Sequence, residues 1–297
     1  MGALRGLVTT LRPHQWTKNT VLFAGLIFAG GLGDPALVRL ALSGAVIFCL
    51  LSGAVYLLND IVDLESDRRH PEKRRRPLAA GTLPVGLALG AAVFFAGSAL
   101  AWSSSIHPVF ALTSAGFLAL NVLYSLALRR MVILDVVAIA VGFVLRAVAS
   151  VEVLRVAAPA TELSPWLLVC TFFLALFLGL GKRRAEVLAL GRDARAHRST
   201  LEHYPQGLVD SLIGVVTAST IVSYAIYTIW PGTVDKVGSS RLVYTVPFVV
   251  YGLFRYLYLM HAGGSGGKPS RVLVTDAPLV VNILLWVAVV VWVLYSA

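Results

Sequence analysis

Charged residues are scarce in this chain of 297 residues, and only 13% of its positions are Asp, Glu, Lys or Arg. Soluble globular proteins carry about a quarter of such residues, whereas 58% of this chain is hydrophobic. The shortage of charge excludes a soluble protein and predicts a polytopic membrane protein. The net charge of +10 therefore does not predict nucleic-acid binding, because basic residues also flank membrane spans on their cytoplasmic side.

Cysteine is nearly missing as well, since the chain contains only Cys49 and Cys170, both inside apolar stretches. Two thiols in such surroundings predict neither a disulfide nor a metal site built on cysteine. A convincing signal-peptide cleavage site is also lacking after the apolar run from Trp16 to Gly33. We therefore interpret this run as a retained first membrane span.

Nine apolar segments are long enough to cross about 30 Å of hydrocarbon. They lie at 16–33, 37–58, 83–103, 108–128, 132–153, 164–181, 207–230, 242–261 and 276–296. No stretch resembles a β-strand, and several connections are short. We therefore predict an all-α fold of about nine transmembrane helices, with residues 1–297 forming a single domain around a polar cavity that faces the cytoplasm.

The distribution of basic residues predicts the orientation. With the N-terminus in the cytoplasm, 19 of the 25 Lys and Arg residues fall in inner segments and four in outer ones. Such an excess is typical of cytoplasmic loops. The polar clusters described next are then expected to face the cytoplasm.

The first polar cluster is a group of acids within residues 59–81, a stretch that holds five of the chain's 15 acidic residues. Asp60, Asp63 and Asp67 are spaced by three and four, so they fall within roughly 60° of one helix face, which Asn59 shares. Neighbouring carboxylates repel one another, and Mg²⁺, which binds one or two carboxylates plus phosphate oxygens, offsets that repulsion. We predict these four residues to be Mg²⁺ ligands. The alternative, a solvated charged loop, explains the basic run that follows but not the spacing of the acids.

A second cluster surrounds the end of the fourth span and the fifth span. It contains Tyr124 and Arg129, followed by Asp135 and Arg146, which are eleven residues apart and share nearly the same helix face. An ionisable residue deep in a span is a candidate functional residue, and Arg binds phosphate in a bidentate manner. The alternative is a structural ion pair in which Asp135 or Glu152 neutralises Arg146.

The third cluster ends the sixth span with Lys182, Arg183 and Glu186. Ordinary basic flanking of a span explains Lys182, Arg183 and the adjacent Arg184. However, the clusters follow the second, fourth and sixth spans on one side of the membrane, and we expect them to converge on one pocket. The basic segment 187–206 that comes next is a candidate lid over that pocket.

These motifs resemble those of the UbiA-type intramembrane prenyltransferases. The run Asn59-Asp60-x-x-Asp63-x-x-x-Asp67, followed by the Arg-Pro-Leu-Ala-Ala-Gly of residues 76–81, is similar to the first aspartate motif of that family. The residues from Tyr124 to Arg130 resemble, with one extra position, the Tyr-x-x-x-Lys-Arg element that ends the family's fourth helix. The resemblance implies nine helices around a central cavity and Mg²⁺ on the aspartates, where it holds a diphosphate.

The second motif of this chain differs from that of most members of the family, and the difference indicates one branch of it. The second motif of the family is usually Asp-x-x-x-Asp, whereas this chain has Lys182-Arg-Arg-Ala-Glu186 at the matching place. This lysine, the Arg-Pro-x-Gln-Trp-x-Lys-Asn opening of residues 12–19 and the run from Asp135 to Arg146 are similar to the decaprenyl-phosphate phosphoribosyltransferase branch. That branch transfers 5-phosphoribose from phosphoribosyl diphosphate to a polyprenyl phosphate, a step towards the lipid-linked arabinose donor of bacterial cell-wall polysaccharides.

The resemblance also implies roles for individual residues. Asp60, Asp63 and Asp67 would bind the donor diphosphate through Mg²⁺, and Lys73 or Arg74 would stabilise the leaving diphosphate. Candidates for the 5-phosphate and the acceptor phosphate are Lys18, Tyr124, Arg129, Lys182 and Arg183, and Glu186 is a candidate for orienting Lys182 or the ribose hydroxyls. The expected location is a bacterial plasma membrane, and a homo-oligomer is left open. Alternative functions are prenyl transfer to an aromatic acceptor and, with less support, membrane transport.

Overall fold

A computed structural model describes residues 2–190, 204–262 and 275–296, with only the backbone at 189 and 190, and these residues are mostly helical. The α-helices are α1 (Gly2–Leu11), α2 (Ala24–Phe28), α3 (Pro35–Val62), α4 (Leu64–Arg69), α5 (Val85–Ile106), α6 (Pro108–Leu126), α7 (Leu134–Glu152), α8 (Pro165–Leu190), α9 (Gln206–Ile229), α10 (Pro231–Val237), α11 (Val246–Ala262) and α12 (Ala277–Tyr295). Helices of the 3₁₀ type lie at Pro13–Phe23, Gly31–Gly33, Lys73–Arg75, Leu128–Arg130 and Ser240–Thr245. No strand occurs in these ranges, and the predicted all-α fold is confirmed.

Eight helices in the described ranges are long and apolar enough to cross a membrane. They correspond to the second to ninth predicted segments. The first predicted segment is instead built from the 3₁₀ helix Pro13–Phe23 and the short helix α2, which is followed by Gly30 with a φ of 68°. At the usual rises of 3₁₀ and α-helices, these two pieces together extend roughly 30 Å, similar to the hydrocarbon thickness.

Helix α3 positions the acidic cluster, and local sequence explains both of its ends. The side chain of Asp34 accepts a hydrogen bond from the amide of Ala36, and proline occupies the first helical position, where its missing N–H is not needed. The helix ends at Val62, and the φ and ψ of the next residue, Asp63, are −89° and 1°. The amides of Asp63 and Asp67 nevertheless donate to carbonyls four residues earlier, at 2.9 and 2.8 Å. Helical spacing of the acids therefore continues from α3 into α4.

The described residues form two compact units. One comprises those within Met1–Leu128 and Leu145–Glu162, and the other those within Arg129–Val144 and Leu163–Ala297. The prediction of a single domain over residues 1–297 stays a prediction.

The first unit packs around aromatic side chains of α3 and α6. The ring of Phe48 lies 5.0 Å from that of Phe117 and 6.2 Å from that of Phe110, measured between centroids. Gly25 allows α2 to approach α7 closely, because a Cβ at this position would lie 2.2 Å from the backbone oxygen of Ser150. The N-terminal segment is thus held against α7.

The second unit packs α8, α9 and α11 together. The ring of Phe177 on α8 lies 5.3 Å from that of Tyr256 on α11, and both side chains are fully buried. At the start of α12, Asp276 accepts from the amide of Leu279 at 3.0 Å and pairs with Arg255 at 2.9 Å. The hydrogen bond from Arg255 lowers the pKa of Asp276 below its usual value, and the Leu279 amide lowers it further, although burial acts in the opposite direction.

Candidate active site

The acidic cluster of the first unit contains two buried carboxylates joined by one arginine. Asp60 and Asp67 have exposed fractions of only 3% and 2%. A single nitrogen of Arg76, Nη1, lies 2.6 Å from Oδ2 of Asp67 and 3.2 Å from Oδ1 of Asp60. Since removing a carboxylate from water is costly unless a cation accompanies it, Arg76 stabilises both acids.

A second arginine reaches the same cluster from the N-terminal segment. Nη2 of Arg12 lies 2.6 Å from Oδ1 of Asp60, and the guanidinium carbon of Arg12 is 5.0 Å from the centre of the Tyr56 ring. Arg12 occupies the left-handed backbone region, with φ of 51°, at the junction between α1 and the following 3₁₀ helix. This conformation is unfavourable for a residue with a Cβ, and the ion pair with Asp60 stabilises it together with backbone hydrogen bonds of Arg12 to Thr9 and Gln15.

Neither Arg12 nor Arg76 was among the site residues predicted from the sequence. Both stand in the motifs that carry the family resemblance, yet only Lys73 and Arg74 were predicted as diphosphate ligands. Charge balance is the sequence signal that could have identified these two arginines, because buried acids require cationic partners. Lys73 and Arg74 themselves are exposed on the 3₁₀ helix Lys73–Arg75.

The acidic cluster fits a divalent cation in its chemistry. Within the described ranges, no three His, Cys, Asp or Glu side chains are grouped so that they could hold a metal ion, and Arg76 lies between the two buried acids. Oδ1 of Asp67, however, is buried without a hydrogen-bond partner, which leaves a hard oxygen donor unsatisfied. Two carboxylates and phosphate oxygens suffice for Mg²⁺, so the residues present fit this ion.

The remaining predicted metal ligands flank these two acids. Asp63 is half-buried at the junction of α3 and α4. The side-chain oxygen of Asn59 accepts a hydrogen bond from the hydroxyl of Ser125 on α6. This contact brings α6 to the acidic end of α3, next to the half-buried Tyr124.

Arg146 lies in the interior of the first unit. Its Nε donates to Oδ1 of Asn19 at 2.9 Å, and its guanidinium carbon is 4.4 Å from the centre of the Phe117 ring. Asn19 in turn donates to the sulfur of Cys49 at 3.2 Å. Arg146 therefore links α7 to the 3₁₀ helix that carries Asn19 and the half-buried Lys18. Glu152, one of the acids considered as its partner, pairs with Arg155 at 3.2 Å.

In the second unit, Asp135 on α7 is fully buried and pairs with Arg183 of α8. The distance from Nε of Arg183 to Oδ2 of Asp135 is 2.7 Å. Arg183 also pairs with Glu186, and Glu186 lies 3.8 Å from Nζ of Lys182. The exposed fraction rises along this chain of charges, from 0% at Asp135 and 3% at Arg183 to 50% at Lys182. Lys182 is thus the accessible end of a buried ionic network.

Tyr204 completes this network and was not predicted as a site residue. Its hydroxyl donates to Oδ1 of Asp135 at 2.6 Å and accepts from the amide of Ile133, also at 2.6 Å. Burial raises the pKa of Tyr204 above its usual value, and the hydrogen bond to Asp135 raises it further. The phenol therefore stays protonated and able to donate at neutral pH.

The structure thus gathers the predicted residues into separate groups within each unit. Asn59, Asp60 and Asp67 lie with Arg12 and Arg76 in the first unit, whereas Asp135, Lys182, Arg183 and Glu186 lie with Tyr204 in the second. Arg129 is half-buried in the second unit. Convergence of the clusters on one pocket stays a prediction. Most of the candidate lid, residues 191–203, lies outside the described residues.

Comparisons with known proteins agree with these motifs. The profile of the UbiA prenyltransferase family matches residues 20–272. The chain is 33% identical over 297 residues to the decaprenyl-phosphate phosphoribosyltransferase of Corynebacterium glutamicum, covering 98% of this chain and 87% of that protein. It is also 33% identical over 290 residues to the Mycobacterium tuberculosis protein of the same name, covering 96% and 93%.

A solved structure has the same fold. It is a UbiA homologue from Archaeoglobus fulgidus bound to GPP and Mg²⁺, similar to this chain with a TM-score of 0.73 and 19% identity, and the match covers 97% of this chain and 99% of that one. At this identity the likeness concerns the fold alone.

Proposed function

The chain belongs to the UbiA prenyltransferase family, and on that premise we propose that this transferase moves 5-phosphoribose from phosphoribosyl diphosphate to a polyprenyl phosphate, with release of diphosphate. The observation that carries the proposal is the pair Lys182 and Glu186 at the end of α8. At the matching place the resemblance implies two aspartates for enzymes that use a prenyl diphosphate. A cation suits a reaction with more phosphate groups, since one is carried by the donor sugar and another by the acceptor lipid.

The donor diphosphate is proposed to bind at the acidic cluster. Mg²⁺ would be held by Asp60, Asp63 and Asp67, with Asn59 assisting, and when bound it would neutralise charge on the diphosphate. The unsatisfied Oδ1 of Asp67 supports this assignment. The UbiA homologue of the same fold that binds Mg²⁺ also supports a divalent cation here.

The arginines of the cluster are proposed to act on the donor as well. In this structure Arg12 and Arg76 neutralise Asp60 and Asp67. These cations already lie beside the proposed metal ligands, where a diphosphate bound through the metal would be close, and the exposed Lys73 and Arg74 precede Arg76 in the chain. Preorganised positive charge of this kind stabilises a leaving group most strongly as its charge develops.

The acceptor end requires little acid–base chemistry. A polyprenyl phosphate is already an anion, so its oxygen can attack C1 of the ribose without a strong general base. Lys182 is accessible for a phosphate group, and Glu186 is close enough to orient it. We assign Lys18, Tyr124 and Arg129 as further phosphate ligands and the buried Asp135, Arg146 and Arg183 as supports for exposed ligands.

A lipid acceptor also accounts for the location of the enzyme. The protein is a multi-pass membrane protein, with eight candidate spans in the described ranges. We propose that it resides in a bacterial plasma membrane with the N-terminus and the active site in the cytoplasm, because most basic residues fall on that side. Phosphoribosyl diphosphate would then reach the site from the cytoplasm and the polyprenyl chain from the bilayer.

The deciding experiment is a transfer assay with purified protein in lipid. Radiolabelled phosphoribosyl diphosphate and a polyprenyl phosphate are incubated with Mg²⁺, with and without EDTA, and label is counted in the lipid phase. Metal-dependent transfer is the expected result. If label stays in the aqueous phase while a prenyl diphosphate is consumed against an aromatic acceptor, the enzyme is an aromatic prenyltransferase instead.

A further inference from the structure

The turn that precedes α7 holds an isoleucine in an unfavourable backbone conformation. Ile133 has a φ of 68°, and among the described residues only Arg12 is another non-glycine residue with positive φ. β-branched residues rarely adopt this region, and such strain persists only where neighbouring groups enforce it. Its side chain is 46% exposed, so packing of that side chain is a weak reason for the conformation.

Besides the hydrogen bond from the Leu134 amide to the Val132 carbonyl at 2.8 Å, the group that holds this conformation is the hydroxyl of Tyr204. It accepts from the amide of Ile133 and donates to the carboxylate of Asp135, with both distances 2.6 Å. Only 2% of Tyr204 is exposed. One buried hydroxyl therefore joins the strained turn to the carboxylate two residues later.

Asp135 transmits this orientation to α8. One of its oxygens accepts from Tyr204 and the other from Nε of Arg183 at 2.7 Å. Arg183 binds Glu186, which lies 3.8 Å from Nζ of Lys182. Oδ1 of Asp135 also accepts from the amide of Val136 at 2.9 Å. Without the tyrosine hydroxyl this oxygen would lose the shorter of its two hydrogen bonds, so the carboxylate would be held less firmly and the contacts that direct Arg183 and Glu186 would loosen.

We propose that Tyr204 is a positioning residue for Lys182, acting through Asp135, Arg183 and Glu186. This inference rests on the proposed function in that Lys182 is taken to bind a phosphate group of a substrate. It adds a residue outside the family motifs and assigns the buried pair of Asp135 and Arg183 to the orientation of the lysine.

A double-mutant cycle tests the proposal. The variants Tyr204→Phe, Lys182→Ala and their combination are compared with wild type in radiolabel transfer, reported as kcat/KM per folded protein. Because small misplacements of binding groups are costly, Tyr204→Phe is expected to lower kcat/KM by about 10- to 100-fold. In the Lys182→Ala background the same change should cost less than about twofold, since the residue through which Tyr204 acts has been removed.

Tyr256→Phe is the matched control. Tyr256 is also a buried tyrosine of the second unit, with 2% exposure, but its hydroxyl has no hydrogen-bond partner among the described residues. Its loss should leave kcat/KM within about twofold of wild type. If Tyr204→Phe unfolds the protein, the cycle is run with Ile133→Gly present, because glycine adopts a φ of 68° without strain.

Two results would overturn the proposal: an equal loss from Tyr204→Phe in both backgrounds, which indicates a merely structural role, or no loss in wild type. Failure of the proposed function is distinguishable from either. If wild type transfers no phosphoribose but consumes a prenyl diphosphate, the same cycle is measured on that reaction and still decides the role of Tyr204.

Discussion

Arg76 offers the sharpest test of the acidic cluster, since it joins two buried acids. Changing Arg76 to Met keeps much of the side-chain bulk and removes the cation that lies 2.6 Å from Asp67 and 3.2 Å from Asp60. Asp60 retains its contact with Arg12, whereas Asp67 is left 2% exposed beside an apolar side chain. The free energy of unfolding should fall chiefly because of Asp67.

The magnitude follows from the burial of the two partners. Removing one partner of a fully buried ion pair costs about 3–5 kcal/mol. Arg76 is 29% exposed, and partial screening by water reduces the expected loss to about 2–3 kcal/mol. For a protein of this size, such a loss lowers the midpoint of thermal unfolding by about 5 °C or more.

The assay is thermal unfolding in detergent, with and without excess Mg²⁺. On the proposal that Asp60 and Asp67 bind Mg²⁺, Arg76 and the metal use the same carboxylate oxygens, so Mg²⁺ should raise the Tm of Arg76→Met by more than it raises that of wild type. Arg75→Met is the matched control, because Arg75 is an exposed neighbour on the same 3₁₀ helix. The reasoning is refuted if Arg76→Met and Arg75→Met have equal Tm values, or if Mg²⁺ has the same effect on variant and wild type.

Three further predictions concern the two clusters and the start of α12. Asp63→Asn should lower transfer by at least about 100-fold with unchanged yield of folded protein, because a metal ligand is lost; transfer at the wild-type rate would contradict a metal role. Lys182→Asp should reduce transfer similarly, because it places an anion where a phosphate is proposed to bind, whereas Lys236→Asp on α10 should not. Equal losses in the two variants would indicate that Lys182 has no specific role in binding phosphate. The lowered pKa of Asp276 means that its ion pair stabilises the fold above the unfolded-state pKa of about 4 and that this stability is lost as pH falls through the lower folded-state pKa. Asp276→Asn should therefore lower the Tm at pH 7, and this loss should shrink as the pH is lowered below about 4; a loss that does not change with pH would show that the charge is not responsible.

The extent of individual helices and the arrangement of residues along them were predictable from the sequence. The spacing of Asp60, Asp63 and Asp67 places them on one helix face, and hydrogen bonds across the junction of α3 and α4 preserve this register. Apolar length likewise predicted eight of the long helices, since few structures other than a helix satisfy the backbone of an apolar span in lipid. The 3₁₀ form of Pro13–Phe23 was not predictable from hydropathy, which is insensitive to the difference between one helix type and another.

Contacts between distant segments were not predictable in the same way. The motifs contain eight Lys and Arg residues, with Arg12 the first and Arg76 the last, and nothing in their order indicates that these two are the ones that reach Asp60. Tyr204 lies 69 residues after Asp135. No sequence pattern around Tyr204 indicates that its hydroxyl binds this carboxylate. Similarly, the partner of Asp135 among the nearby basic residues is Arg183, which sequence spacing alone does not identify.

By itself, the sequence determined that this chain spans a membrane as helices, that its acids lie on one helix face, and that a lysine stands where the family resemblance implies an aspartate. These properties depend on composition and on spacing within one helix, which a linear pattern records directly. The tertiary structure decided which arginines neutralise Asp60 and Asp67 and which hydroxyl holds Asp135. Those pairings depend on distances between segments far apart in the chain, and burial selects them because each charge removed from water needs a partner within hydrogen-bond reach.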